Sequence, residues 1–238
     1  TWRPEGGGAA DERTLLDPGA VVRYGLPVAR TLVNVGLAGL IGSLVMVLWA
    51  LDTEGPEGRL AMDLAAASAA IVTVASGATL ILTYIDVTGL SFSGDTVFGA
   101  GLGQFVTEIE LGRLWLLQLM LAAMTTVLCF AVRDRRWVLL ALAAALVTVL
   151  PLALQGHAAG ASGHSLAVNS LLVHLVGAAV WLGGLITVVL LCKTVDRPRL
   201  SVIVGRYSTL ALFAFIGVSA SGVVSAAQRI GSLDVVVL

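Results

Sequence analysis

Six stretches of about 20 residues or more carry few or no charges: 27–51, 61–86, 111–132, 137–155, 166–192 and 203–229. A helix needs ~20 mostly apolar residues to cross a hydrocarbon core. In lipid every backbone amide must be paired within its own segment, so runs this long cross as helices. The strands of a membrane barrel would instead read as ~10-residue alternating segments, a pattern absent from the chain. Composition agrees: 58% of the 238 residues are hydrophobic and 12% charged, whereas soluble domains average roughly 45–50% apolar and about 25% charged. The expected fold is an all-α polytopic transmembrane bundle of about six spanning helices. A short amphipathic surface helix is expected in "VFGAGLGQFVTEIELG", where Phe98, Leu102, Phe105, Val106 and Ile109 recur at helical spacing. The glycines of that stretch count against helix.

Residues 1–25 read as a polar extracytoplasmic tail and 26–238 as the transmembrane domain. The opening "TWRPEGGGAADERTLLDPG" lacks the basic start and apolar core of a signal peptide. Lys and Arg concentrate in "RDRR" (133–136) and "KTVDRPR" (193–199), which places both loops in the cytoplasm and the N-terminus outside. Against this, the loop "LDTEGPEGR" has one Arg, and Arg3, Arg13, Arg23 and Arg30 precede or open the first span. Tyr24, Tyr84, Trp115, Trp49, Trp137 and Tyr207 fall near span ends and read as an interfacial belt, with Trp181 mid-helix as the exception.

A net charge of −1 argues against a nucleic-acid partner. Two cysteines, Cys129 and Cys192, make no disulfide framework. Walker, Cys-x-x-Cys, His-Glu-x-x-His and nucleophile-elbow motifs are missing, so the chain is not expected to be an enzyme.

All three histidines lie within 18 residues. His157 closes the fourth span, His164 opens the fifth, and His174 lies ten residues further along, ~15 Å deeper at 1.5 Å per residue. Ser170, His174, Gly177, Ala178 and Trp181 share one helical face. The small residues on that face admit a close neighbour, and an ionisable group at membrane depth is a functional candidate. Met120 and Met124 add thioethers on the third span, Met120 near the depth of His174. Thiolate and thioether select Cu(I), and imidazole accepts copper as well. The candidate ligands are therefore His157, His164, His174 and Met120, with Cys129 and Cys192 at the far end of the same ladder. Each also has a plain structural reading: solvated loop histidines, an interhelical polar contact, and Met or Cys as packing. Asp63, Asp86, Glu108 and Glu110 read as wetted interfacial acids.

"GHA" at 156–158 followed by "VHLVGAAVWLGGL" at 173–185 resembles the signature of the copper-resistance D (CopD) family of bacterial inner-membrane proteins. "ELGRLWLLQLMLA" (110–122) and "GRYSTLALFAFIGVSASGVVSA" (205–226) are similar to its third and sixth helices. "DPGAVVRYGLPVAR" (17–30) is similar to actinobacterial members in which a CopD-like half is fused to a cytochrome oxidase assembly (CtaG-like) half. The resemblance implies a periplasm-facing N-terminus, copper handling at the cytoplasmic membrane, and His157 and His174 as the matching histidines. His164 falls where members vary. It also implies two further helices beyond the sixth, so the transmembrane domain reads as incomplete at its C-terminus. The implied partners are the lipid bilayer, a periplasmic copper chaperone and cytochrome oxidase assembly factors. Three functions compete: a carrier or chaperone of Cu(I), a metal-free structural or assembly subunit of a respiratory complex, and a b-type haem electron carrier.

Overall fold

The computed structural model describes residues 19–90, 92–131, 134–155 and 164–230. These form α1 (Gly19–Trp49), α2 (Pro56–Thr88), α3 (Thr96–Glu108), α4 (Glu110–Ala131), α5 (Arg135–Val147), α6 (Leu150–Gln155), α7 (His164–Leu191) and α8 (Arg197–Ile230), with no strand among the described residues. Six helical stretches are long and apolar enough to cross a membrane: α1, α2, α4, Arg136–Gln155, Val168–Leu191 and Arg197–Ala227. The protein is an all-α, multi-pass membrane protein, as the hydropathy pattern requires.

The hub is α1. Every residue from Gly36 to Leu44 is buried, because α2, α5 and α7 all pack around this segment. Burying apolar surface gives little net gain between helices already in lipid, so close approach of backbones must supply the attraction. Small residues provide it. A Cβ on Gly36 would meet Val72 Cγ2 and Ser68 O of α2, at 2.7 and 3.2 Å. On the other side, Ala38 and Gly42 of α1 oppose Ala179 and Gly183 of α7. A Cβ on Gly183 would collide with Ala38 O, and one on Gly42 with the Gly183 backbone.

Several elements depart from the hydropathy reading. The first span begins at Gly19, not near residue 27, and the helix runs through Pro27. The proline removes one backbone donor, but Val22 and Leu26 pack beside Leu80, Tyr84 and Trp115, which holds the first turns in place. The fourth span is not continuous. It breaks at Thr148–Val149 between α5 and α6, because Pro151 has no N–H and its ring crowds the carbonyl of Val147. The break adjoins a cavity of about 150 Å³ lined by Asn34, Ala38, Val149, Leu152, Ala178 and Leu182, among others. Three of the expected belt aromatics are buried instead: Tyr84, Trp115 and Tyr207.

The surface helix forms despite its glycines. α3 lays Phe98 and Phe105 on the Tyr84 ring, with centroids 5.1 and 5.6 Å away. Gly101 sits where a Cβ would strike the Tyr84 hydroxyl, so that glycine is what lets the helix seat. The Asp95 carboxylate caps α3 by accepting from Phe98 N–H at 2.7 Å and from Ser93 Oγ–H at 2.8 Å. These bonds, the Phe98 one foremost, hold its pKa below the ordinary carboxylate value. A carboxyl depressed in the folded state stabilises above its unfolded pKa and loses that contribution as pH falls through the folded one. Protection of α3 amides in hydrogen exchange should therefore decline on acidification below the usual carboxylate range. Asp95→Ala should show the reduced protection at neutral pH, whereas Asp95→Asn should keep the cap.

Candidate functional site

α8 packs chiefly against α7. The two helices run antiparallel, and their facing residues step by four and three: Ser170, His174, Gly177, Trp181 and Gly184 on α7 against Ser225, Ser221, Val218 and Ala214 on α8, with Tyr207 two turns beyond Ala214. A Cβ on Gly177 would lie 2.9 Å from Val218 Cγ2 and 3.2 Å from Ala214 O. Lower down, the Tyr207 hydroxyl donates to Trp181 O at 2.9 Å, and the Trp181 ring meets Phe215 edge to face at 5.9 Å. The small residues bring the backbones together, and that closeness lets short polar side chains reach across.

They reach at one level. Ser170 Oγ–H donates to Ser221 O at 2.8 Å and lies 3.0 Å from Ser225 Oγ. His174 Nδ1 is 3.2 Å from Ser221 Oγ, which itself donates to Val218 O at 2.8 Å. A hydroxyl has one proton, and the shorter bond places it on Val218 O. In the tautomer that fits this arrangement, His174 Nδ1 carries the hydrogen and donates to Ser221 Oγ. In a neutral imidazole this leaves Nε2 with its lone pair, the form in which histidine accepts a metal or a proton. A second-shell hydrogen bond fixes ligating histidines in the same way. Among the described residues Nε2 has no hydrogen-bond partner. His174 is six residues past Val168 in a 24-residue span, ~9 Å along it, which is shallower than mid-membrane.

The sequence-flagged residues do not all converge here. His157 lies outside the described residues. His164 is the first residue of α7, and its side chain lies outside them as well. Met120 is on the outward face of α4, 63% exposed, with Met124 beside it at 51%. Cys129 is buried in the central core, and Cys192 is exposed at the opposite end of α7 from His164. Asp63, Asp86, Glu108 and Glu110 are exposed. Ala178, expected on the His174 face, instead lines the cavity next to α1. Among the described residues no three His, Cys, Asp or Glu side chains gather into a metal site. The polar groups around His174 are hydroxyls, which are harder than Cu(I) prefers, so among the described residues the imidazole is the one soft donor in this polar notch. Ser221 and Ser225 escaped the sequence reading. Their signal was a serine pair at i, i+4 in an apolar helix, matching the Ser170–His174 pair.

At the other end of the bundle, α8 is tied to the α1–α2 turn. The Arg199 guanidinium forms an ion pair with Glu57 through Nη2 and donates from Nε to both carboxylate oxygens at 3.1 and 3.2 Å. It also reaches Ala50 O at 3.3 Å. Asp52 N–H donates to Glu57 Oε1 at 2.8 Å. Trp49 Nε1–H donates to Arg206 O at 3.2 Å.

Comparison with known proteins bears on this arrangement. The chain is 31% identical over 144 residues to the inner membrane protein YebZ of Escherichia coli (strain K12), an alignment covering 58% of this chain and 49% of that protein. The chain thus spans about half the length of that relative. No solved structure matches it. Residues 21–168 match the family model described as copper resistance protein D-like, N-terminal domain, a stretch that takes in α1 to α6, His157, His164 and the first turn of α7 but stops short of His174. With well over half of its residues inside that match, this chain belongs to the copper resistance protein D-like family.

Proposed function

We propose that this membrane protein takes up Cu(I) and moves it into the bilayer-spanning bundle along α7, without catalysing a reaction. The observation that carries the reading is His174. It is an imidazole inside a spanning helix, held by Ser221 in the tautomer that offers Nε2. Family membership supports copper as the metal, since the matching model is described as copper resistance protein D-like. His157 and His164 would capture the ion at the end of the bundle where α7 begins, and His174 would receive it. A lone ligand suits a transit point, because an ion held by one imidazole can leave again. Lys and Arg at the Glu57–Arg199 end favour a cytoplasmic position for that end. Capture would then occur on the outer face of a bacterial cytoplasmic membrane. The partners consistent with that side are a periplasmic copper chaperone and factors of cytochrome oxidase assembly.

Competition with a colorimetric Cu(I) chelator in detergent tests the reading. Wild type should withdraw at least one equivalent of Cu(I). His157→Ala combined with His174→Ala should withdraw none, and Ser221→Ala should weaken binding by about tenfold, the scale of a second-shell loss. Met120→Leu should bind as wild type, because its thioether faces outward. Equal binding by wild type and the double histidine variant would overturn the proposal. A second reading has one observation in its favour, the lack of a three-ligand cluster among the described residues. In it the seam only packs α8, and the protein is a metal-free assembly subunit. It requires the wild type to withdraw no copper and to co-purify with oxidase subunits.

A further inference from the structure

A second polar group lies in the bundle, away from the histidine seam. Gln118 of α4 is fully buried, and among the described residues neither its amide oxygen nor its amide nitrogen has a partner. Ser76 and Thr83 of α2, the Trp115 indole N–H and the Gln155 amide nitrogen are also buried and have no partner among the described residues.

Helix register brings these groups to the same part of the bundle, spread over about 10 Å of its depth. Thr73 Oγ1 of α2 meets Thr126 Oγ1 of α4 at 2.9 Å, and a Cβ on Gly77 would contact Leu119 at 3.7 Å. Continuing antiparallel, Gln118 and Trp115 fall opposite the Ser76–Thr83 segment. Thr125 Oγ1 of α4 meets Thr148 Oγ1 at 3.3 Å. Seven residues on from Thr148, through α6, is Gln155, and seven back from Thr125 is Gln118. Trp115, Leu80 and Leu152 share one packed cluster, which joins the three helices at this depth.

None of these six atoms reaches another, so they do not satisfy one another directly. Left dry, each would lose its hydration with nothing in return, and six such losses would rival the whole margin by which folded proteins are stable. Buried water makes about three hydrogen bonds apiece, so two or three molecules would pair all six atoms. Amide, indole and hydroxyl groups are not soft ligands, which makes water the fitting occupant and bare Cu(I) a poor one.

We propose that α2, α4 and α6 enclose a hydrated chamber in which ordered water is held by Ser76, Thr83, Trp115, Gln118 and Gln155. Gln155, at the end of α6 and two residues before His157, and Gln118, eight residues past the start of α4 and so ~12 Å along that span, face it from opposite helices. The chamber is separate from the His174 seam and does not depend on the copper reading.

Radiolytic hydroxyl-radical labelling of the full chain in lipid nanodiscs, in water enriched in oxygen-18, tests it. Trp115 is 2% exposed, as is Met62, while Met46 is fully buried. Both methionines sit in the apolar core. With internal water, Trp115 should oxidise at least tenfold faster than Met46 and Met62 and carry the heavy isotope. Gln118→Met should bring Trp115 down to their rate. Trp115 as protected as Met46 in the wild type would overturn the chamber, and so would rapid labelling that persists in Gln118→Met. If that variant does not fold, the wild-type comparison alone decides.

Discussion

Gly183→Leu should dismantle the bundle. At this position α1 and α7 touch backbone to backbone, and the first carbon of any side chain would collide with Ala38 O. Overpacking usually costs ~1–3 kcal/mol because neighbouring side chains can shift. Here the obstacle is a main-chain carbonyl in the most enclosed helix, so the cost should exceed that range. We expect loss of the monodisperse peak in fluorescence-detected size exclusion, with Gly183→Ala already lowering the melting temperature and Gly42→Leu behaving like Gly183→Leu. Gly205→Leu is the control: a Cβ there meets nothing within 4 Å, and leucine favours helix over glycine by up to ~1 kcal/mol. If Gly183→Leu melted with Gly205→Leu, the α1–α7 crossing described above would be wrong.

Arg199→Ala should be the next most damaging change. It leaves the Glu57 carboxylate, whose side chain is only 7% exposed, with Asp52 N–H but no counter-charge. Removing one partner of a buried pair costs ~3–5 kcal/mol. Arg199 is a third exposed, so the low end, about 3 kcal/mol, is expected. Arg199→Lys should recover only part, because a single ammonium cannot span both carboxylate oxygens and Ala50 O. Removing both charges, Glu57→Leu with Arg199→Leu, should recover most of the stability, since no unpaired charge then remains. Thermal melts of the four proteins in one detergent would check the order. A double variant no better than Arg199→Ala would show that the arginine acts through packing and not through its charge.

The spans were legible because lipid imposes one rule along the whole chain, and hydropathy reads that rule directly. The Ser170–His174–Gly177–Trp181 face was legible too, since helical spacing alone puts those residues in line. Their partners were not. Which helix stands beside α7 depends on where Gly183 and Gly177 let backbones approach, and a glycine at a contact reads the same as Gly205, which touches nothing. Tyr84 and Trp115 were misread as belt anchors because their positions near span ends are equally those of residues roofed by α3 or facing another helix. Pro151 was visible, but an apolar run hides a break, as hydropathy does not register a missing N–H. Gln118 was silent for the converse reason: one amide scarcely alters the average of a greasy window. His157 stands where the sequence left it, as a family-matched candidate, and the His164 side chain as a candidate from its position alone.

The stepwise pairing of α7 with α8 has a consequence for how the chain assembles. Apolar contact in a bilayer has almost no preferred offset along the helix axes, since a slide of one residue exchanges one greasy neighbour for another. The bonds from Ser170 and His174 to Ser221 and Ser225 have a single setting. A slip by one position forfeits all of them and drives Gly177 off the bulk of Val218. These four side chains act as a vernier, so α8 can seat against α7 at one height only.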